Sequence, residues 1–282
     1  MFILNLNVAL PVIVFNDTTK TSSPPDISTP LCVNISFHIV RNSNGSGGFP
    51  SQSLEYIIDN LNAVYDPFNI YLNNNGFNYI NSSTYYNLND INYDNLVQTN
   101  NDPNAINFYL VNYASFKGKA GILSNYLVVV NQYALETTAA HELGHSLNLF
   151  HTHHSSTCET LNACAEAING TNCTICGDYI CDTPADPCLF NQVNSNCVYI
   201  GGGGYSPDTG NTMSYSLEQC RQTIHFKRNL GKSIRTRNHF TESKSYFCTC
   251  SRWSQSLDFK CKSNGYKFMW DFYKIFYSRR WR

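Results

Sequence analysis

His141, Glu142 and His145 stand in the run His-Glu-Leu-Gly-His. On a helix, four positions make about one turn, so both imidazoles leave the same face and can hold one Zn²⁺. Glu142 lies beside them, placed to act as general base toward water activated by that ion. The chemistry of such a group is hydrolysis. The same five-residue pattern also occurs as a solvated face of unrelated helices, so the surrounding chain must decide between the two.

Residues 135–150 contain no Pro and are rich in Ala, Leu and Glu, which predicts the helix that the spacing requires. Upstream, Val33, Ile35, Phe37 and Ile39 alternate with Asn34, Ser36 and His38, the period of a half-buried strand opened by Cys32. Leu54, Ile57, Ile58, Leu61 and Val64 share one face of an amphipathic helix, with Ser51 or Ser53 as its N-cap. Residues 68–72, 106–113 and 127–130 read as further strands, and the Asn-rich stretch 73–104 as mostly loop. A strand, a helix and then more strands predict an α+β sheet lobe, with the 135–150 helix at its junction with an irregular, cysteine-rich lower lobe.

Composition narrows the class. The 282 residues are 42% hydrophobic and 14% charged, enough for a real core and unlike a disordered chain. No run of about 18 apolar residues occurs, so no membrane span is expected. Seven of the 12 cysteines fall between Cys158 and Cys197, which points to disulfides and secretion. Six N-x-S/T sequons, at Asn16, Asn34, Asn44, Asn81, Asn169 and Asn172, fit that route. Residues 1–220 carry 4 Lys or Arg against 17 Asp or Glu, whereas residues 221–282 carry 15 against 3. The sequence therefore divides into a signal-like or pro segment (1–31), a catalytic body (32–222) and a basic aromatic tail (223–282) expected to add nothing to catalysis.

His151 follows His145 by six residues, so that residues 141–151 resemble the elongated zinc signature of the metzincin endopeptidases, with Asn148 where that family has Gly. A continuous helix would carry His151 to another face. The helix must therefore end between them, and Asn148 is expected at positive φ. Downstream, Asn211-Thr212-Met213-Ser214-Tyr215 resembles the family's Met-turn, and Gly177-Asp178 with Asp182-Thr183-Pro184-Ala185 resembles the pappalysin branch and its cytophagalysin-like secreted members. The resemblance spans residues 33–221. It implies a twisted mixed sheet with an active-site helix above an irregular disulfide-rich subdomain, and a secreted zinc endopeptidase acting on proteins or peptides. It also implies His141, His145 and His151 as zinc ligands, Glu142 as base, Tyr215 as partner of the oxyanion or as cap of the resting metal, and Met213 beneath the metal. Calcium at Asp178 and Thr183 is a further implication, the alternative being that these residues cap turns.

Other readings compete. A catalytically inactive zinc- or peptide-binding relative has no need of Glu142, and a nucleic-acid-binding role for the basic tail is opposed by the acidic body and the cysteine density. Cys173 and Cys176 are expected in disulfides rather than in a zinc knuckle. Cys32 is either a latency thiolate or structural, and its place at the start of a strand favours the latter. His153 and His154 are expected to be solvated.

Overall fold

The computed structural model describes residues 31–156, 158–159, 164–221, 249–253 and 256–260. Its centre is a five-stranded sheet of β1 (Leu31–Arg41), β2 (Ile70–Asn81), β3 (Ile106–Val111), β4 (Gly118–Ala120) and β5 (Tyr126–Val130), in the order β2-β1-β3-β5-β4. β1, β2, β3 and β5 run parallel, and β4 pairs antiparallel with β5 at the edge. The mixed α+β class is therefore as expected.

Alternation explains how the strands feed two layers. Leu127 and Val129 of β5 face one cluster, together with Phe37, Ile39, Phe108 and Leu110, while Val128 and Val130 face the other with Tyr109 and Val111. Burial on both faces is what a continuous apolar run such as Leu-Val-Val-Val requires. The first cluster is closed by α1 (Leu54–Tyr65) and α4 (Thr137–Ser146), the second by α3 (Tyr93–Gln98) through Tyr93, Leu96 and Val97. Between β2 and α3 lies the single turn of α2 (Ser83–Tyr86).

Three expectations change. β2 continues through Asn73, Asn74 and Asn75 to Asn81, where a loop was expected, because pairing with β1 satisfies its backbone while the side chains stay on a polar edge. Two short helices, α2 and α3, and one 3₁₀ turn (Asp90–Asn92) occupy other parts of 73–104. Ser53 does hold the N-cap position of α1, yet its side chain makes no cap bond.

Beyond Ser146 the chain is irregular and cross-linked by Cys158–Cys188, Cys164–Cys176, Cys173–Cys181 and Cys197–Cys220. Cys173 and Cys176 are thus in disulfides, as expected. Cys32 is disulfide-bonded too, so it has no thiolate to offer a metal. Residues 1–30 of the signal-like segment lie outside the described residues, its last residue, Leu31, opening β1, and most of the basic tail lies outside them too. Within that tail, β6 (Thr249–Trp253) and β7 (Ser256–Lys260) pair as an antiparallel hairpin. Among the described residues no helix is long and apolar enough to cross a membrane.

Candidate metal centre

α4 carries the His-Glu-Leu-Gly-His run and is buried along almost its whole length. Ala139, Ala140 and Leu143 pack into the first cluster, and Tyr65 of α1 donates its hydroxyl to the Ala140 carbonyl at 2.8 Å. The first turn of the helix is capped from far along the chain. Glu218, in the 3₁₀ turn Glu218–Cys220, accepts from the Thr137 N–H at 2.7 Å and from the Thr137 hydroxyl, and is also paired with Arg221. A carboxylate there satisfies orphan donors and lies at the favourable end of the helix dipole.

The C-terminal end of α4 is a Schellman turn. Leu149 N–H donates to the Gly144 carbonyl and Asn148 N–H to that of His145, each at 2.8 Å, and Asn148 has φ of 77°. This is the expected reversal, and the helix stops at Ser146 rather than at residue 150. The turn folds His151 back over His145.

The three imidazoles meet at their Nε2 atoms, 3.0 Å apart for His145 and His151 and 3.2 Å for His151 and His141. Each ring is held from its other side. His141 Nδ1–H donates to the Thr212 carbonyl, His145 Nδ1–H to the Leu149 carbonyl, and His151 Nδ1–H to Glu159 Oε1, all at 2.7 Å. Carbonyls only accept, so these bonds place the proton on Nδ1 and leave the Nε2 lone pairs of His141 and His145 facing inward. Burial, reinforced by the neighbouring rings, lowers the His141 pKa well below the ordinary value and that of His145 to about 4. Neutral imidazoles are the ligand form. Tetrahedral zinc at about 2.0–2.1 Å from each nitrogen calls for separations of roughly 3.3 Å, so the donor set fits Zn²⁺ closely.

Glu142 projects from α4 toward β4. It is 6% exposed, and its carboxylate accepts a hydrogen bond from the Ala120 backbone N–H. Burial pushes its pKa up to about 8, against the opposing pull of Arg221 and the Ala120 bond. β4 makes room for it at Gly118, where a Cβ would stand 2.6 Å from Glu142 Cγ and 2.8 Å from Oε1. Tyr215 is half-exposed at the open side of the cluster, its ring centroid 4.6 Å from that of His151 and 6.4 Å from that of His141. Met213 is fully buried in the first cluster, and its carbonyl accepts from Thr152 N–H.

Asp178 and Thr183 are also adjacent, but they bond to each other. Thr183 Oγ1 donates to Asp178 Oδ2 at 2.7 Å, and Ile180 N–H to Oδ1 at 2.8 Å. That is the turn-capping arrangement. Among the described residues, the groups of three or more His, Cys, Asp or Glu side chains close enough to share a metal are both at the histidine cluster, and Asp178 belongs to neither.

His153 and His154 are not solvated. His153 is fully buried, stacked on His151 at 4.8 Å, with both ring nitrogens lacking a hydrogen-bond partner. Burial, with His151 adding to it, takes its pKa down to about 3. His154 donates from Nδ1 to Glu159 Oε2 at 2.6 Å. Glu159 thus orients two histidines, and sequence reasoning missed it. A signal existed, since a metal-ligating His needs an acceptor for its second nitrogen and Glu159 is the single carboxylate between Glu142 and Glu166.

No protein-family model matches the chain. A curated relative, an extracellular metalloprotease from Colletotrichum graminicola, is 28% identical over 247 residues, covering 77% of this chain and 80% of that protein. Similar solved structures include a chain of a chaperone–substrate complex (16% identity, TM-score 0.36, 45% of this chain and 25% of that one). Another is metalloproteinase-II from Bacteroides fragilis (11%, 0.33, 47% and 45%), and a third is archaemetzincin from Methanopyrus kandleri (16%, 0.31, 44% and 78%). The chain spans a quarter of the first of these and under half of the second.

Proposed function

We propose that the chain is a secreted zinc-dependent endopeptidase of metzincin type, within the pappalysin branch. The observation that carries this reading is the approach of His151 Nε2 to those of His145 and His141, at 3.0 and 3.2 Å, while each Nδ1 is held by a separate acceptor. His141, His145 and His151 would hold the metal. A bound Zn²⁺ would polarise the scissile carbonyl and bring the pKa of its water toward about 7.

The remaining work belongs to the protein. Glu142 takes the proton of the attacking water and hands it to the leaving amine. Its near-dry position under β4 suits a group that must both accept and return a proton, and a site that merely binds metal has no use for it. Tyr215, beside His151 on the open side, donates to the oxyanion. The open edge of β4 offers backbone groups to an extended peptide, which would bind as an added strand. Four disulfides and the extracellular relative support secretion.

Hydrolysis of casein or gelatin that disappears with a chelator and returns with zinc is the expected result. Glu142→Ala should keep one zinc per chain and lose turnover by about 10²-fold or more. Absence of hydrolysis by the zinc-loaded wild type, or an active Glu142→Ala, would overturn the reading.

A further inference from the structure

In residues 31–220 the cationic side chains are Arg41, Lys117 and Lys119, set in a strongly acidic body. Two of these three flank Gly118 on β4, the strand that passes over Glu142. Neither lysine is in an ion pair among the described residues; each lies over aromatic rings instead. Lys119 Nζ stands 4.3 Å from the Tyr93 ring centroid and 5.7 Å from that of Phe116, and Lys117 Nζ 4.8 Å from that of Tyr133. These contacts rest the ammonium groups of two exposed side chains on ring faces and, among the described residues, leave them without a carboxylate partner.

Backbone geometry says what passes in front of them. Val130 N–H donates to the Lys117 carbonyl, and Gly118 lies opposite Val129. Residues 117 and 119 therefore bond inward to β5, while Gly118 and Ala120 turn their polar groups to the open edge. Glu142 takes the Ala120 N–H, which leaves the Gly118 N–H and C=O to pair with an extended chain. A residue paired with Gly118 shares its face, toward Glu142. Its two neighbours fall on the opposite face, directly across from Lys117 and Lys119, with Cβ separations of about 4.5–5.5 Å.

We infer that Lys117 and Lys119 select substrates bearing acidic side chains two residues apart, Asp/Glu-x-Asp/Glu, in the segment that pairs with Gly118. This rests on the peptidase reading and names its substrate class. The pairs are solvent-exposed, so each is expected to favour Glu over Gln by about two- to fivefold in kcat/KM, an effect that fades at high salt.

The test is a set of fluorogenic peptides of one backbone, with a Glu-x-Glu pair stepped along each offset from the scissile bond and Gln-x-Gln and Lys-x-Lys controls. At one offset the zinc-loaded wild type should prefer Glu over Gln over Lys, and Lys119→Glu should reverse the order at one of the two positions, Lys117→Glu at the other. Cleavage with no charge preference at any offset, or variants that keep the wild-type preference, overturns this inference alone. Failure to cleave any peptide overturns the peptidase reading and this one with it.

Discussion

Gly144 faces the sulfur of Met213: a Cβ on Gly144 would stand 2.4 Å from Sδ and 3.2 Å from Cε. Both partners are buried, Met213 completely. The contact joins the middle of α4 to the turn whose Thr212 carbonyl holds His141, so one packing interface sets the height of the helix and the orientation of the His141 ring. Glycine inside a helix costs about 1 kcal/mol relative to alanine, and here close approach explains its presence. Gly144→Ala should therefore destabilise despite the better propensity, by about 1–3 kcal/mol from overpacking. Urea unfolding of Gly144→Ala, Met213→Ala and the double variant would check this, with the double variant costing less than the two singles added. Additive costs would show that the residues do not press on each other.

The site was legible in sequence where its chemistry is local. His141, Glu142 and His145 share one helical turn, and the need to return the chain from His145 to His151 placed a left-handed residue at Asn148. What escaped was non-local or weak in pattern. Glu218 caps α4 across 81 positions, a contact that no spacing announces. β4 is the three-residue run Gly-Lys-Ala, poor in β propensity, and becomes a strand through its pairing with β5. The asparagines of β2 carry the composition of a loop, and tertiary pairing overrides it.

Gly118 predicts a separation of binding from turnover. A methyl group there would meet Glu142 Cγ and Oε1 and, at 2.8 Å, Thr138 Cγ2. Gly118→Ala should push the carboxylate off the Ala120 N–H, lowering kcat by about ten- to a hundredfold. Zinc stoichiometry should hold, since the ligands are untouched. Adding Thr138→Ala, which removes the Cγ2 that the same methyl group would meet, should recover part of the loss. Steady-state kinetics with metal analysis decides, and a fully active Gly118→Ala would contradict the assignment.

Glu159 predicts an effect on the metal rather than on the base. It holds His151 through Oε1 and His154 through Oε2, and accepts from Ser155 N–H at 3.2 Å as well. Replacing it with Ala frees the His151 ring and removes a carboxylate that strengthens the ligand. Zinc affinity should fall by about 10–100-fold, and saturating zinc should restore most of the activity. Competition with a chromophoric chelator measures the first, and activity titrated against free zinc the second. Unchanged affinity would mean that His151 is held without Glu159.

Asp178 predicts an unusual slope of stability with pH. The side chain is buried, and that burial outweighs its bonds to Thr183 and Ile180, while Glu166 and Asp182 add repulsion; its pKa is pushed up to about 7. The folded chain then keeps a proton that the unfolded chain releases near pH 4, an ordinary carboxylate value. Between those two pKa values the folded state binds more protons, so this group's contribution to stability is full below about pH 4 and is lost as pH rises toward 7. Asp178→Asn cannot ionise and keeps an acceptor for the Ile180 N–H. Its stability relative to wild type should therefore rise as pH is raised from about 4 to 7, measured by urea unfolding with zinc fixed and calcium removed. A difference flat in pH would contradict the raised pKa. Added Ca²⁺ supplies the second arm: a cation held by Asp178 and Thr183 would favour the ionised carboxylate and reverse the slope in wild type alone, whereas indifference to Ca²⁺ leaves the residue as the cap of a turn.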